Sequence, residues 1–125
     1  MDKKITKIDI ITRPSKLEEL KDALNSIGVL GMTVSQVYGC GLQRGHKEVF
    51  RGKEYDVNLV PKIKLETVVC EVPVEKVLEV AQKVLRTGKF GDGKIFVYEL
   101  ADAVRIRTGQ RGAEAIMDIP GEKPE

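Results

Sequence analysis

Along this chain apolar residues first alternate with polar ones, then recur every three or four positions, then alternate again, and the cycle runs twice. In Ile5–Thr12, Ile8 and Ile10 fall on one side and Asp9 and Ile11 on the other, the period of a half-buried strand. Pro14 follows, where a helix start tolerates a missing N–H. Leu17, Leu20, Leu24 and Ile27 then recur at helical spacing, and Gly28 marks the stop. Met32–Tyr38, with its Thr and Val, predicts a second strand. A third spans Val60–Cys70, where Ile63, Leu65, Thr67 and Val69 alternate with Lys62, Lys64 and Glu66. Pro73 opens a second helix with one apolar stripe (Val74, Val77, Leu78, Ala81, Val84, Leu85), which ends at Gly88. Lys94–Ala101 is a fourth strand, with Phe96, Tyr98 and Leu100 on one side and Ile95 and Val97 on the other. The order β-α-β-β-α-β predicts an α+β, ferredoxin-like sandwich in which both helices cover one face of the sheet.

The other face is then left open. Ile11, Val37, Val68, Phe96 and Tyr98 predict that it is partly apolar, and such a patch usually marks an interface. A homo-oligomer is expected, with a ligand site in the cleft between subunits. Between strands 2 and 3 lies Gly39–Tyr55, GCGLQRGHKEVFRGKEY, in which no period survives more than a few residues. Adjacent antiparallel strands are usually joined by about 2–5 residues, so this much longer loop is read as a recognition element held out by a rigid scaffold. Beyond the two pseudo-symmetric halves no internal repeat is visible. The domain is expected to span residues 1–116, with 117–125 a polar, flexible tail.

Composition narrows the function classes. With 125 residues the chain builds one core, and a net charge of +2 is too small to hold nucleic acid by bulk attraction. No window is apolar for long enough to span a bilayer. Asp9, Arg13 and Lys16 break the first apolar run, so no signal peptide is expected and the cytoplasm is the expected compartment. Cys40 and Cys70 show neither metal spacing nor a disulfide framework. Trp is absent, which weakens any ligand chemistry based on stacking.

Candidate chemistry gathers in TGKFGDGK, Thr87–Lys94. Gly88 to Lys94 has P-loop spacing, but Ile95 stands where Ser or Thr is required, and the segment runs from helix into strand, the reverse of a P-loop. Glycine N–H groups with Lys94 can still cradle an anion; the plainer alternative is a helix C-cap and turn using glycine for positive φ. Arg105 and Arg107, two apart in ADAVRIRTG, face the same side if that segment is extended, and would match a polyphosphate or pair with carboxylates. Lys62 could hold a ligand carboxylate or snorkel. Gln43 could offer one oxygen to a Mg²⁺ already held by phosphates. His46 has no Ser, Cys or second His near it in sequence and reads as a loop residue.

Three motifs in order, GMTV with GCGLQRGHKEVFRGKEY, then TGKFGDGKIFVYEL, then VRIRTG, resemble the PII nitrogen-regulatory signalling proteins, over roughly Lys4–Ile116. The resemblance implies a homotrimer, not an enzyme, that binds ATP or ADP with Mg²⁺ and 2-oxoglutarate between subunits. Its long loop would regulate a target such as an ammonium transporter, the only route to a membrane. By the same resemblance Gly91, Lys94, Arg105 and Arg107 hold phosphates, with Gly41, Asp92 and Gly93 beside the nucleotide. Ile11, Thr33 and Val68 belong to the adenine pocket, Gln43 joins Mg²⁺, and Lys62 meets a 2-oxoglutarate carboxylate. Arg51 is implied as the loop arginine that enters an ammonium channel, and Tyr55 matches a tyrosine that is uridylylated in some bacteria. Three positions depart from the pattern. Leu42 stands where many members have an arginine that reaches the γ-phosphate, Lys53 where some photosynthetic relatives carry a phosphorylated serine, and Phe50 where a tyrosine is common. Three other expectations compete: a slow nucleotide hydrolase, an RNA-binding module suggested by KIFVY, and a PII-like sensor of another small molecule.

Overall fold

A computed structural model of the chain describes residues 4–40, 49–50, 53–54 and 59–117. Strand β1 (Ile5–Thr12) leads through a 3₁₀ turn (Pro14–Lys16) into α1 (Leu17–Ser26) and then β2 (Thr33–Gly39). The short strands β3 (Val49–Phe50) and β4 (Lys53–Glu54) precede β5 (Val60–Val69), α2 (Val74–Leu85) and β6 (Lys94–Leu100), and a second 3₁₀ turn covers Gly112–Ala115. The main sheet has the order β2-β5-β1-β6, every neighbouring pair antiparallel. This is the α+β split pattern that the periodicity predicts.

One face of the sheet and one stripe of each helix make the core. Ile8 and Ile10 of β1, Ile63 and Leu65 of β5, Leu20 and Leu24 of α1, and Val77 and Ala81 of α2 are all buried. At the end of α1, Gly28 takes φ 95° and donates its N–H to the Asn25 carbonyl at 3.0 Å, the expected glycine stop. The second helix ends differently. It stops at Leu85 and Arg86 is already extended, so Gly88 (φ 83°) is not a helix cap but part of the turn that follows.

The long loop also departs from expectation. Val49 pairs with Glu54 and Phe50 with Lys53, a small antiparallel ladder inside a stretch that shows no period. Val and Phe favour strands, but two residues per strand are too few to leave a legible alternation.

Register puts Ile11, Val37, Val68, Phe96 and Tyr98 together on the face opposite the helices. The centre of that face, however, is charged. Lys7 lies 2.9 Å from Glu66 and 3.5 Å from Asp9, while Lys64 lies 3.8 Å from each of the same two carboxylates. The Lys7 ammonium also sits 5.4 Å from the Tyr98 ring centroid. The hydrogen bond from Lys7 holds the Glu66 carboxyl below its ordinary value, and the same bond raises Lys7. Asp9 is only 2 % exposed, and its Oδ1 accepts no hydrogen bond. The Lys7 ammonium, 3.5 Å from that oxygen, sets a positive charge beside it. Alternation alone hides this network, because Lys, Asp and Glu read as solvent-facing positions in any strand.

Val34 and Leu65 are cross-strand partners on the helix side of the sheet, yet Leu65 is fully buried and Val34 is 40 % exposed at the β2 edge. Leu65→Ala is expected to cost about 2–5 kcal/mol of stability. Val34→Ala should cost less than about 1 kcal/mol. Urea unfolding of both variants at equal protein concentration tests the difference; equal costs would contradict this packing.

Candidate functional site

Where α2 ends and β6 begins, the chain turns through Arg86–Gly93 against the C-terminal end of β1. Gly93 (φ 102°) passes so close to β1 that an added Cβ would lie 1.9 Å from the Ile11 carbonyl oxygen, so glycine is required there for both backbone angle and space. The Thr12 hydroxyl donates to the Asp92 carbonyl at 2.8 Å. Arg13 reaches over from the other side: Nη1 donates to Asp92 Oδ1 at 2.8 Å and Nη2 to the Phe90 carbonyl at 3.2 Å. Lys62, at the start of β5, donates from Nζ to the Gly91 carbonyl at 3.0 Å. Lys94 is the first residue of β6 and pairs with Ile11, so both lie on the face away from the helices.

The carboxylate of Asp92 faces into this turn. Oδ1 accepts from the Thr87 hydroxyl at 2.5 Å as well as from Arg13, and Oδ2 accepts the N–H groups of Thr87 (2.8 Å) and Gly88 (2.9 Å). The Thr87 hydroxyl, the Thr87 N–H, Arg13 and the Gly88 N–H together hold the carboxyl well below the usual carboxylate range. Two N–H groups of the glycine-rich turn, those of Thr87 and Gly88, are thus occupied by the chain's own carboxylate.

Ile11, Lys62, Gly91, Asp92, Gly93 and Lys94 therefore converge at one end of the sheet. Thr33 and Val68 do not join them. They line a separate cavity of about 490 Å³ with Lys7, Leu30, Glu66 and Met117. Arg105 reaches Met117, which borders this cavity, away from the glycine turn, and neither Arg105 nor Arg107 lies in an extended segment. The Gly109 N–H bonds the Arg105 carbonyl at 2.7 Å, closing a turn with Gly109 at φ 77°, so strand alternation does not align the two arginines. The Arg105 side chain donates to the carbonyls of Ala115 (3.1 Å from Nε) and Met117. Met117 borders Lys4, Ile5 and Leu100, at the opposite end of β6 from Lys94. Gly41, Gln43, Arg51 and Tyr55 lie outside the described residues, as do Leu42 and His46. Sequence reasoning missed Thr12, Arg13 and Thr87. Arg13 was visible as a charge ending the first apolar run, but only the fold brings it to position 92.

The family profile described as Nitrogen regulatory protein P-II matches residues 5–110. The chain belongs to this family. A "Nitrogen regulatory PII-like protein" of Bacillus subtilis is 48 % identical over 116 residues, covering 93 % of this chain and all of the relative. Among solved structures, a B. subtilis GlnK–ATP complex aligns with TM-score 0.78 at 46 % identity, covering 92 % of this chain and 98 % of that one. Arabidopsis thaliana PII bound to citrate aligns with TM-score 0.71 at 39 % identity, covering 91 % and 94 %. P-II proteins are nitrogen regulatory signalling proteins, not enzymes, and this chain is one of them. Among the described residues no helix is long and apolar enough to cross a membrane.

Because the folded state depresses the Asp92 carboxyl, its contribution to stability is complete above the unfolded value of about 3.9 and is lost only as pH falls through the lower folded value. Amide chemical shifts of Thr87 and Gly88 should therefore stay constant from neutral pH down to about 4. An inflection near the ordinary aspartate value would mean that the carboxylate is not held as described.

Proposed function

We propose that this P-II protein works as a homotrimer that binds ATP or ADP, with Mg²⁺, in the clefts between subunits. In the same reading 2-oxoglutarate is its effector, and its long loop regulates a nitrogen-metabolism target, with an ammonium transporter the fitting partner, from the cytoplasm. One observation carries the composite site. Lys94 with the glycine turn stands at one end of β6, and the Arg105 side chain is tied to the segment at the other. With seven residues in β6, those ends lie roughly 20 Å apart at about 3.3 Å per residue. A triphosphate cannot bridge them within one chain. A second copy that brings its arginine segment to the first copy's glycine turn can, and closed rings of identical subunits make such head-to-tail contacts.

The chemistry of the ligands fits the residues. B. subtilis GlnK has been solved with ATP, and Arabidopsis PII with citrate, a small polycarboxylate. In this chain Lys94 and the amides of the glycine turn suit phosphate oxygens, while Lys62 suits a carboxylate. No group of three His, Cys, Asp or Glu that could hold an ion occurs among the described residues, so Mg²⁺ would depend on phosphate oxygens, with Gln43 as the side chain to join it. Signalling then follows as a population shift. Contacts that Gln43 and the loop base make only with ATP and effector present would favour one loop state, and ADP would leave the other.

Two outcomes are expected. Lys62→Ala should still bind ATP while 2-oxoglutarate binding disappears; calorimetry showing equal loss of both would reject the role given to Lys62. Lys94→Ala alone should lose about 10- to 150-fold in ATP affinity, a charge-assisted contact being worth roughly 1.5–3 kcal/mol. An Arg105→Ala/Arg107→Ala chain should be similarly weak. Mixing the two variants and reassembling them should restore wild-type affinity in about one cleft in four. No recovery in mixed trimers would place both halves in the same chain.

A further inference from the structure

We infer that Asp92 is a positioning residue for the nucleotide site rather than a ligand in it, an internal anion that shapes the glycine turn before phosphate arrives; this rests on the nucleotide-binding reading above. Both of its carboxylate oxygens are already engaged. Oδ1 takes the Arg13 guanidinium and the Thr87 hydroxyl, and Oδ2 takes the N–H groups of Thr87 and Gly88. Its own carbonyl is held by the Thr12 hydroxyl. Asp92 therefore links the exit of α2 to the end of β1, two elements on opposite sides of the turn.

Charge points the same way. A carboxylate facing a triphosphate would repel it, whereas this one is turned inward and paired with Arg13 at 2.8 Å. Arg13 is consumed in the same arrangement, since its second nitrogen donates to the Phe90 carbonyl. Nor would the turn hold its shape unaided. Gly88, Gly91 and Gly93 all adopt positive φ, and a segment with three such glycines has a large conformational freedom to lose. With the clasp closed, that loss is already taken before a nucleotide binds, and Gly91, Gly93 and Lys94 are set in place. With the clasp open, only the fraction of molecules with an ordered turn can bind, and the apparent dissociation constant rises by the inverse of that fraction.

Asp92→Asn keeps the size of the side chain but removes the charge and puts a donor where acceptors are needed. Stopped-flow and calorimetric titration of the trimer with ATP and with ADP should show both affinities weakened by a common factor, about tenfold if the ordered turn drops to a tenth of the population. The loss should be the same with Mg²⁺ and with EDTA, should lie mainly in the association rate, and should accompany faster hydrogen exchange at Thr87 and Gly88 with unchanged exchange in the core strands. Arg13→Gln, which leaves Asp92 intact, should give part of the loss, the double variant no more than Asp92→Asn alone, and Arg13→Lys should recover most of it. A loss confined to Mg²⁺-containing samples would make Asp92 a metal-side ligand, and unchanged affinity would leave it no role; either overturns the inference while wild-type binding keeps the nucleotide reading intact. Wild-type protein that binds neither nucleotide sinks the reading itself, and the inference with it.

Discussion

Everything at the candidate site depends on how closely the α2–β6 turn is pressed against β1. At Gly93 there is no room for even a methyl group, because the Ile11 carbonyl occupies the space where it would go. That approach brings Asp92 under the Thr12 hydroxyl and within reach of Arg13, and it starts β6 in register with Ile11 opposite Lys94. A one-residue slip would turn Lys94 toward the helices and send Ile95 to the open face. The scaffold is ordinary; this contact makes it specific.

The elements were legible in the chain because each carries its own period. Ile8 and Ile10 against Asp9, or Val77 and Ala81 at helical spacing, announce both the element and its buried side. The apolar part of the open face could also be read, since Ile11, Val37, Val68, Phe96 and Tyr98 share a side through register alone; its charged centre could not. Partners were not legible. Nothing about Arg13 in sequence tells that it closes on Asp92, 79 positions away. Nor does the two-residue spacing of Arg105 and Arg107 reveal that Gly109 curls the segment into a turn. Period reports which side a residue takes, and only tertiary placement reports what waits for it there.

The open face shows the same limit in its energetics. A partly apolar patch would be covered readily by another copy, but here a neutral set of two lysines and two carboxylates sits at its centre. Any protein seated on it must leave that set paired or add donors to it, because an isolated buried charge is costly and Asp9 already has one oxygen without a hydrogen bond. Such a face is poor at indiscriminate sticking and good at choosing a matched surface.

The ammonium group of Lys62 holds a backbone carbonyl of the very turn it stands beside. An ammonium has three N–H donors, so a carboxylate that comes to Lys62 can bind beside the Gly91 carbonyl rather than in its place. On the proposed reading one side chain would then hold the effector and the backbone of the turn that carries Lys94 at the same time. Two ligands of different chemistry would in this way be tied together through a single ammonium group.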